Sequence, residues 1–385
     1  KGSMLSVQQA DDMIRLNVKL CPPVRVTLRE AFGRVLREDI FADRDLPPFH
    51  RVAMDGIAIS WDSWRKGRRE FVVEGVQKAG TPARTLKNQS HCIEVMTGAV
   101  LPQRCDCVIP VENIEIDGRT ARLREGFKIS RWLNIHPRGT EYKKGAILLR
   151  KGCRFSSPQI AVAASVGKPE VRVSRSPSIA VVGTGDELVE VGKPLASFQI
   201  RQSNAYALQC AFQMHGYRDV RRFHVRDDKE KLRLRLKDVL QKFDVIVLSG
   251  GVSMGKFDFV PEVLERLRVK VLFHKVKQRP GKPFWFGKSR DGKPVFALPG
   301  NPVSTLISAY RYILPYLNQS SGLDTTAAEF AVLERDVGVK TPLTYFLPVK
   351  IAYHPDGRRM ASPVHTYGSG DYASLAKSDG FVELK

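Results

Sequence analysis

A short apolar run followed by a glycine-rich turn is the segment best suited to chemistry. Val245 to Leu248 are apolar without interruption and fit a strand that is buried on both faces, as in a parallel sheet. Glycines let the backbone approach a ligand closely, and the N-terminus of the helix that Pro261 would begin attracts an anion. The turn contains Ser249, Gly250, Gly251, Ser253 and Gly255. We therefore predict that this turn binds a phosphorylated ligand.

Two other apolar runs lead into turns of the same kind. The first turn contains Gly185, Asp186 and Glu187, and the second contains Pro299, Asn301 and Pro302. Asn301 is well suited to cap a helix and Pro302 to occupy its first position. Three successive strand-to-helix turns predict a doubly wound α/β domain, whose ligand binds beyond the carboxyl ends of the strands. The ligand site is therefore expected where these three turns meet.

The rest of the chain shows other patterns, which predict further domains. A helix is expected over residues 6–18, where Ser6 and Gln9 form a capping box. Short strands fill residues 45–143, with examples at 71–76, 92–96, 107–111 and 120–123. The predicted domains are an N-terminal α+β domain (4–44 with 144–173), a β-rich insertion (45–143), a central α/β domain (174–323) and a C-terminal β domain (324–385). The helix within residues 4–20 could pack against the central domain.

The composition is that of a globular protein, with 43% hydrophobic and 26% charged residues among 385. No apolar run approaches the ~20 residues needed to span a bilayer, and no charged-then-apolar leader is seen. A cytoplasmic protein without membrane contact is therefore expected. The glycine-rich turn after Leu248 matches neither G-x-G-x-x-G nor a P-loop, which argues against dinucleotide and Walker-type nucleotide binding.

The chain carries a formal net charge of +22, which calls for a negatively charged partner. Nucleic acid is one candidate, but the basic residues are dispersed along the chain and form no recognised nucleic-acid module. A basic group around a Pro-Gly turn suits oxyanions better, and it consists of Lys275, Lys277, Arg279 and Lys282. Small anionic substrates are therefore the preferred partners, and nucleic-acid binding is not expected.

The six cysteines do not form the framework of a disulfide-rich protein. Cys105 and Cys107, with His91 and Cys92 nearby, could be imagined as a zinc site, but no C-x-x-C pair is present. Residues 107–111 also have the pattern of a strand. Reduced thiols of a cytosolic protein are the preferred interpretation.

Several short motifs occur in the order known from one enzyme family. They are Pro47-Pro-Phe49, Ala53-Met-Asp-Gly56, Met96-Thr-Gly98, Gly183-Thr-Gly-Asp-Glu-Leu188, Arg226-Asp-Asp228, Ser249-Gly-Gly-Val-Ser-Met-Gly255 with Asp258, Pro280-Gly-Lys-Pro283 and Leu298-Pro-Gly-Asn-Pro-Val-Ser304. With them the chain resembles the molybdopterin molybdenumtransferase (MoeA) family, which includes the E domain of gephyrin. A match of several ordered motifs is far more specific than one glycine-rich turn.

This resemblance implies a reaction that residue spacing alone could not show. Adenylylated molybdopterin and molybdate would be converted, with Mg²⁺, to molybdenum cofactor and AMP. The resemblance also implies an elongated homodimer of four-domain chains, with the site between the α/β domain of one subunit and the β-rich insertion of the other. Molybdopterin adenylyltransferase and apo-molybdoenzymes are further partners that it suggests.

The family motifs also suggest roles for individual residues. Asp55, Glu187 and Asp258 are the expected catalytic residues and Mg²⁺ ligands, since Mg²⁺ binds one or two carboxylates together with waters and phosphates. A metal on the pyrophosphate would stabilise the charge on the leaving AMP. Substrate contacts are expected at Thr97, Gly185, Asp186, Asp227, Ser249, Gly250, Gly251, Ser253, Lys275, Arg279, Lys282, Pro299, Asn301 and Ser369.

Two of these acidic residues could instead serve the structure. Asp227 and Glu230 have the spacing of a capping box for the helix expected over residues 227–243. Asp186 could stabilise the turn in which it lies. The sequence leaves both alternatives open.

The chain also departs from the family's motifs. His50, Arg51 and Val52 stand where Asp-Asn-Ser is usual, Arg201-Gln-Ser-Asn204 keeps only the last residue of Tyr-Asp-x-Asn, Arg279 replaces a lysine, and an arginine is replaced near Pro348. Arginine presents a rigid planar fork rather than a point charge. One alternative is therefore a non-catalytic pterin-binding or scaffold paralogue of the same fold. Another is a pterin adenylyltransferase, which resembles the α/β domain alone.

Overall fold

The computed structural model describes residues 4–252, 258–323, 328–339 and 341–385. The chain forms two compact units. The first, called the α/β unit, comprises Lys1–Glu38, Lys151–Ser157 and Glu170–Lys385, and the second, called the β unit, comprises Asp39–Arg150 and Pro158–Pro169. The finer division into four domains stays a prediction. Among the described residues, no helix combines the length and the apolar character needed to cross a membrane.

The first two helices begin at capping boxes. Ser6 starts the first helix, and the capping box that it forms with Gln9 is confirmed; Thr27 and Glu30 form a second one. The helices of the described residues are α1 (Val7–Arg15), α2 (Leu28–Ala31), α3 (Trp61–Arg65), α4 (Ser157–Ser165), α5 (Ser203–Met214), α6 (Lys229–Lys242), α7 (Val260–Arg266), α8 (Pro302–Ser308), α9 (Leu314–Ser320) and α10 (Tyr372–Leu375), with a 3₁₀ turn (Val111–Asn113) and a π-helical turn (Ala309–Ile313).

The strands are short except for one near the C-terminus. In chain order they are β1 (Pro23–Thr27), β2 (Ile40–Phe41), β3 (Arg51–Val52), β4 (Gly56–Ile59), β5 (Glu70–Gln77), β6 (His91–Val95), β7 (Cys107–Pro110), β8 (Ile114–Asp117), β9 (Thr120–Leu123), β10 (Ile135–His136), β11 (Ile147–Leu149), β12 (Glu170–Ser174), β13 (Ile179–Thr184), β14 (Leu188–Val189), β15 (Ile200–Arg201), β16 (Val220–Val225), β17 (Val245–Ser249), β18 (Lys270–His274), β19 (Gln278–Arg279), β20 (Trp285–Lys288), β21 (Pro294–Leu298), β22 (Val332–Leu333), β23 (Thr344–Tyr353), β24 (Arg359–Pro363) and β25 (Gly380–Leu384).

The β unit is built around a sheet with the strand order β7-β4-β6-β5-β9-β8. Along β4, Ile57 and Ile59 belong to one apolar cluster, whereas Ala58 belongs to another. All three are fully buried, which is the period-two alternation of a sheet that is covered on both faces. The four strands predicted in this region are confirmed by β5, β6, β7 and β9.

The cysteines of the β unit lie in its apolar clusters. Cys92 and Cys107 pack in one cluster and Cys105 in the other, so the three thiols are not directed at one point. Burial raises the pKa of the Cys92 and Cys107 thiols to about 12. A neutral buried thiol behaves as a small apolar side chain, which supports the structural interpretation over the zinc alternative.

The α/β unit contains a sheet with the strand order β16-β13-β17-β21-β20-β18. The first four of these strands run parallel to one another; β20 pairs antiparallel with β21, and β18 pairs antiparallel with β20. Helices cover both faces: Ile14 of α1 and Leu208 of α5 pack in one cluster, and Leu236 of α6 packs in the other. Consecutive residues of β17, Val247 and Leu248, point into the two clusters in turn. The predicted doubly wound α/β fold is confirmed, and α1 packs in its core.

The C-terminal strands form a second sheet of this unit, in the order β19-β23-β24-β22, with β25 also paired to β23. A hairpin turn joins the antiparallel strands β23 and β24, and in it the Gly357 N–H donates to the His354 carbonyl at 2.8 Å. β19 pairs in parallel with β23 through Gln278 and Arg279. This pairing fixes the basic Pro-Gly turn against the C-terminal sheet.

One carboxylate ties together the beginnings of two central strands. Asp244 directly precedes β17, and its oxygens accept from the Arg175 guanidinium at 2.8 and 2.9 Å. Its Oδ2 also accepts from the N–H and the hydroxyl of Ser178, which precedes β13, each at 2.9 Å. Burial alone would raise the pKa of Asp244, but these hydrogen bonds outweigh it and lower the pKa to about 2.

We expect D244N to lower the free energy of unfolding by about 1–2 kcal/mol at neutral pH. The folded pKa of about 2 lies below the ordinary value of 3.8, so the carboxylate stabilises the fold above about pH 4. That contribution disappears as the pH falls toward about 2. Urea midpoints of D244N and wild type should therefore differ at neutral pH and approach each other in acid.

The matched control for this variant is D219N. Asp219 pairs with Arg221 at 3.4 Å, and both side chains are more than half exposed. Loss of this ion pair should therefore leave the urea midpoint nearly unchanged. A D244N protein that is as stable as wild type at neutral pH would contradict the prediction.

Candidate functional site

The three predicted turns surround one cavity of about 900 Å³ at the carboxyl ends of β13, β17 and β21. The three turns lie close together because of the strand register: Gly183 lies opposite Ser249, and Ser249 lies opposite Leu298. Parallel strands that end at the same level place their following loops at one edge of the sheet. The predicted site residues that line the cavity are Gly185, Glu187, Asp227, Ser249, Gly250, Gly251, Asp258, Arg279, Lys282, Pro299, Asn301 and Ser369.

The glycine-rich turn approaches the end of β13 more closely than other residues would allow. Gly250 has φ of +98°, and a Cβ at this position would lie 2.5 Å from the Thr184 carbonyl oxygen. The Gly250 N–H donates to the Leu298 carbonyl at 3.0 Å, which ties the turn to the end of β21. Glycine is therefore required here by a close backbone approach. The predicted contact Ser253 lies outside the described residues.

Acidic side chains gather at this cavity, and their proximity affects one pKa. Burial raises the pKa of Asp227, and the nearby carboxylates of Asp186, Glu187 and Asp258 raise it further. Asp186 is not among the lining residues. Its Oδ1 accepts the backbone N–H of Asp227 at 3.2 Å, so it supports the loop that carries Asp227. The cavity therefore has an acidic side that favours a cation or a proton.

Of the two alternatives for Asp227, the capping box with Glu230 is wrong. The N-cap of α6 is Asp228, whose side chain accepts from the backbone N–H groups of Glu230 and Lys231 at 3.0 and 2.9 Å. A shift of one residue places the cap on Asp228, because the helical backbone begins only at Lys229. Asp227 lines the cavity instead.

The cavity acids have the chemistry of a magnesium site that a phosphorylated ligand would complete. Within the described ranges, no group of three or more His, Cys, Asp or Glu side chains is arranged to hold a metal ion by itself. Mg²⁺ does not require such a cage, because it keeps several waters and is commonly bound by one or two carboxylates and by phosphate oxygens. The oxygen donors Glu187, Asp227 and Asp258 fit that mode of binding.

The basic residues divide into two sets. Arg279 and Lys282 line the cavity, as expected for oxyanion contacts. Lys275 is not among the lining residues: its N–H donates to the Phe284 carbonyl at 2.9 Å, and its own carbonyl accepts from the Leu5 N–H at 3.4 Å. The backbone of Lys275 thus joins β18 to neighbouring segments, which sequence spacing does not reveal.

Two predicted residues lie in the β unit and contact each other. The N–H and the hydroxyl of Thr97 donate to Asp55 Oδ1 at 2.6 and 2.8 Å. These two hydrogen bonds lower the pKa of Asp55. The next residue is Gly56, where a Cβ would lie 1.9 Å from the Ile109 carbonyl oxygen. The Ala-Met-Asp-Gly motif therefore allows a close strand pairing directly beside an ionised carboxylate.

Asn204 joins several walls of the cavity, although it is not among the predicted site residues. Its amide Nδ2 donates to Ser249 Oγ at 2.9 Å and to the Gly300 carbonyl at 2.7 Å. Since a carbonyl only accepts, this orients the amide, and Oδ1 accepts from the Tyr372 hydroxyl at 2.6 Å. One side chain thus links the turn after β17, the turn after β21 and α10. The retained amide in the Arg201-Gln-Ser-Asn204 segment was the available sequence signal.

A second link holds the C-terminal segment at the cavity. Asn301 occupies the predicted N-cap position of α8 but makes no side-chain capping bond. Its Nδ2 donates to Ser369 Oγ at 2.9 Å, and the Val303 N–H donates to the Ser369 carbonyl at 3.0 Å. Ser369 therefore belongs to the cavity wall.

Models of known families match three successive segments of the chain. Residues 5–167 match the MoeA N-terminal region (domain I and II), residues 180–319 match a model described as "Probable molybdopterin binding domain", and residues 331–385 match the MoeA C-terminal region (domain IV). The three matches follow one another in the order of the resemblance seen in the motifs.

Proteins that are similar to this chain match nearly its full length. The molybdopterin molybdenumtransferase of Synechocystis sp. is 39% identical over 382 residues, covering 99% of this chain and 95% of the relative. The enzyme of that name from Bacillus subtilis is 31% identical over 370 residues, covering 93% and 85%. The crystal structure of the molybdopterin biosynthesis MoeA protein of Pyrococcus horikoshii OT3 is similar with a TM-score of 0.82 and 26% identity, covering 99% of this chain and 95% of that one.

We expect Y372F to loosen the C-terminal segment. The variant removes the donor to Asn204 Oδ1, which costs about 1 kcal/mol, so amide hydrogen exchange over residues 366–376 should become faster. Y367F removes the same atom from a side chain that is 89% exposed and should leave exchange unchanged. Equal exchange in Y372F and wild type would count against the link.

We expect D227N to raise the thermal stability of the ligand-free protein at neutral pH. The pKa of Asp227 is raised above 3.8, so stability falls as the pH rises through the folded pKa, and removing the charge relieves this loss. Melting temperatures of D227N and wild type should converge as the pH falls toward about 3. The neighbouring change D228A removes the cap of α6 and should lower the melting temperature. A lower melting temperature for D227N at neutral pH would refute the account.

Proposed function

The chain belongs to the molybdopterin molybdenumtransferase (MoeA) family, and from this premise we propose that it inserts molybdate into adenylylated molybdopterin and releases AMP. The product would be molybdenum cofactor. The observation that carries the proposal is the cavity at the ends of β13, β17 and β21, where acidic, basic and glycine-rich family motifs line one space. A polyanionic substrate that is bound together with a cation calls for this combination of groups.

The glycine-rich turn and two cations would bind the charged end of the substrate. Arg279 offers a planar guanidinium that suits two oxygens of one phosphate or molybdate group, whereas Lys282 offers a point charge. Ser249 adds a hydroxyl from the end of β17, where Asn204 holds it at 2.9 Å. These groups bind and orient the substrate, so their removal should act mainly on affinity.

Glu187, Asp227 and Asp258 would hold Mg²⁺ together with substrate oxygens. When bound, Mg²⁺ would offset the charge that develops on the departing AMP. The chain's own contribution is an acidic cluster: the pKa of Asp227 is raised by burial and then by its acidic neighbours. Such carboxylates repel one another until a cation or a proton is bound. The cluster therefore favours a substrate that arrives with a divalent cation.

Asp55 and Thr97 are proposed to take part on the strength of the family motifs. The hydrogen bonds donated by Thr97 lower the pKa of Asp55, which keeps this carboxylate ionised at neutral pH. An ionised carboxylate can orient a substrate hydroxyl or amine and can accept a proton from it. Thr97 would act through Asp55 by fixing its orientation.

Two of the residues that depart from the family motifs, His50 and Arg51, have partners within the β unit. His50 Nδ1 accepts a hydrogen bond from the Arg138 N–H at 3.1 Å, and the His50 ring lies 4.9 Å from that of Trp132. Arg51 pairs with Glu141 at 3.3 Å. These contacts support a local structural accommodation of the departures, while the acids of the cavity are retained.

We further propose that the chain acts as a cytoplasmic homodimer. Molybdopterin adenylyltransferase would supply its substrate, and apo-molybdoenzymes would receive its product. These partners follow from the family resemblance. Light scattering of the purified protein should give about twice the chain mass of 43.2 kDa, and a monomer mass at micromolar concentration would refute the dimer.

We expect E187Q and D258N to lower turnover by at least about 100-fold, because each replaces a charged oxygen donor by a neutral amide. The measurement is AMP release from adenylylated molybdopterin with Mg²⁺ and molybdate, coupled to activation of a cofactor-free molybdoenzyme. Circular dichroism should show unchanged folding. E265Q, which changes an exposed carboxylate of α7, serves as the matched control and should keep wild-type activity.

Full activity in both E187Q and D258N would refute the assignment of these two residues. Saturable pterin binding by the wild type without AMP release would instead identify the non-catalytic paralogue. Release of AMP that does not depend on Mg²⁺ would remove the proposed metal while leaving the transferase in place.

A further inference from the structure

Thr184 carries a buried hydroxyl that has no hydrogen-bond partner among the described residues. The residue ends β13 and is only 4% exposed. Buried hydroxyls are usually hydrogen-bonded, and one that is not lowers the stability of the folded state. Valine has nearly the same shape without the hydroxyl. Packing alone therefore gives no reason for threonine at this position.

The hydroxyl lies directly against the glycine-rich turn. A Cβ built on Gly250 or on Gly251 would come 2.9 Å from Thr184 Oγ1, a separation that real Cβ atoms essentially never show. Thr184 and both glycines also line the cavity. The unpartnered hydroxyl therefore lies beneath the glycine-rich turn, in a residue that lines the cavity at the point where two of the three turns meet.

We propose that the Thr184 hydroxyl donates a hydrogen bond to a tetrahedral oxyanion that is bound beside Gly250 and Gly251. This inference rests on the proposed function for the identity of the oxyanion, which is either the substrate phosphate or molybdate. Both offer charged acceptor oxygens, to which hydrogen bonds are about twice as strong as between neutral groups. Arg279 and Lys282 line the same cavity and can balance the negative charge.

A hydroxyl that serves binding should affect stability and affinity in opposite directions. T184V keeps the shape and removes the unpartnered polar atom, so the melting temperature of the ligand-free protein should stay the same or rise. Its affinity for the oxyanion should fall about 10-fold, which corresponds to about 1.4 kcal/mol. T184S keeps the hydroxyl and should retain most of the affinity. A residue with a purely structural role would not give this pattern.

Isothermal titration calorimetry on the full chain tests the inference, with AMP and Mg²⁺ in one series and sodium molybdate in another. Weaker binding of AMP alone by T184V assigns the contact to the phosphate, weaker binding of molybdate alone assigns it to molybdate, and weaker binding of both assigns a shared position. Unchanged affinity of T184V for both, or a melting temperature below that of wild type, overturns the inference. Wild-type protein that binds neither oxyanion overturns the proposed site and this inference together.

Discussion

The site depends on three adjacent parallel strands that end at the same level. β13, β17 and β21 are hydrogen-bonded neighbours, and their register places Gly183, Ser249 and Leu298 side by side. Each strand then enters a turn that must leave the sheet at the same edge. Asp244 holds the opposite ends of β13 and β17 together through Arg175 and Ser178. The geometry of the cavity therefore follows from backbone pairing before any side chain is considered.

Local charge at the cavity differs from the charge of the whole chain. The net charge of +22 comes from basic residues spread over the sequence, yet acidic side chains gather at the ends of the central strands. The raised pKa of Asp227 reflects this, since burial and three neighbouring carboxylates act on it together. A general positive field attracts anions to the protein, whereas a local acidic cluster favours cations.

Segments far apart in sequence complete the cavity walls. β19 carries Arg279 out of the central α/β region and pairs it with β23 of the C-terminal sheet. Ser369 and Tyr372 then return to the cavity through Asn301 and Asn204. The C-terminal sheet is thus paired with the segment that carries Arg279, so changes in this sheet should alter the geometry of the cavity.

The sequence by itself determined the elements whose causes are local: buried strands, glycine turns, the Ser6 capping box and the ordered motifs. Only the tertiary structure decided which groups meet. Asn204 and Tyr372 are 168 residues apart, Lys275 stays outside the cavity lining, and the cap of α6 lies on Asp228 rather than Asp227. That the Thr184 hydroxyl has no hydrogen-bond partner among the described residues is likewise evident only from the tertiary structure. The reason is physical: local patterns specify backbone conformation, whereas contacts and burial depend on how distant segments pack.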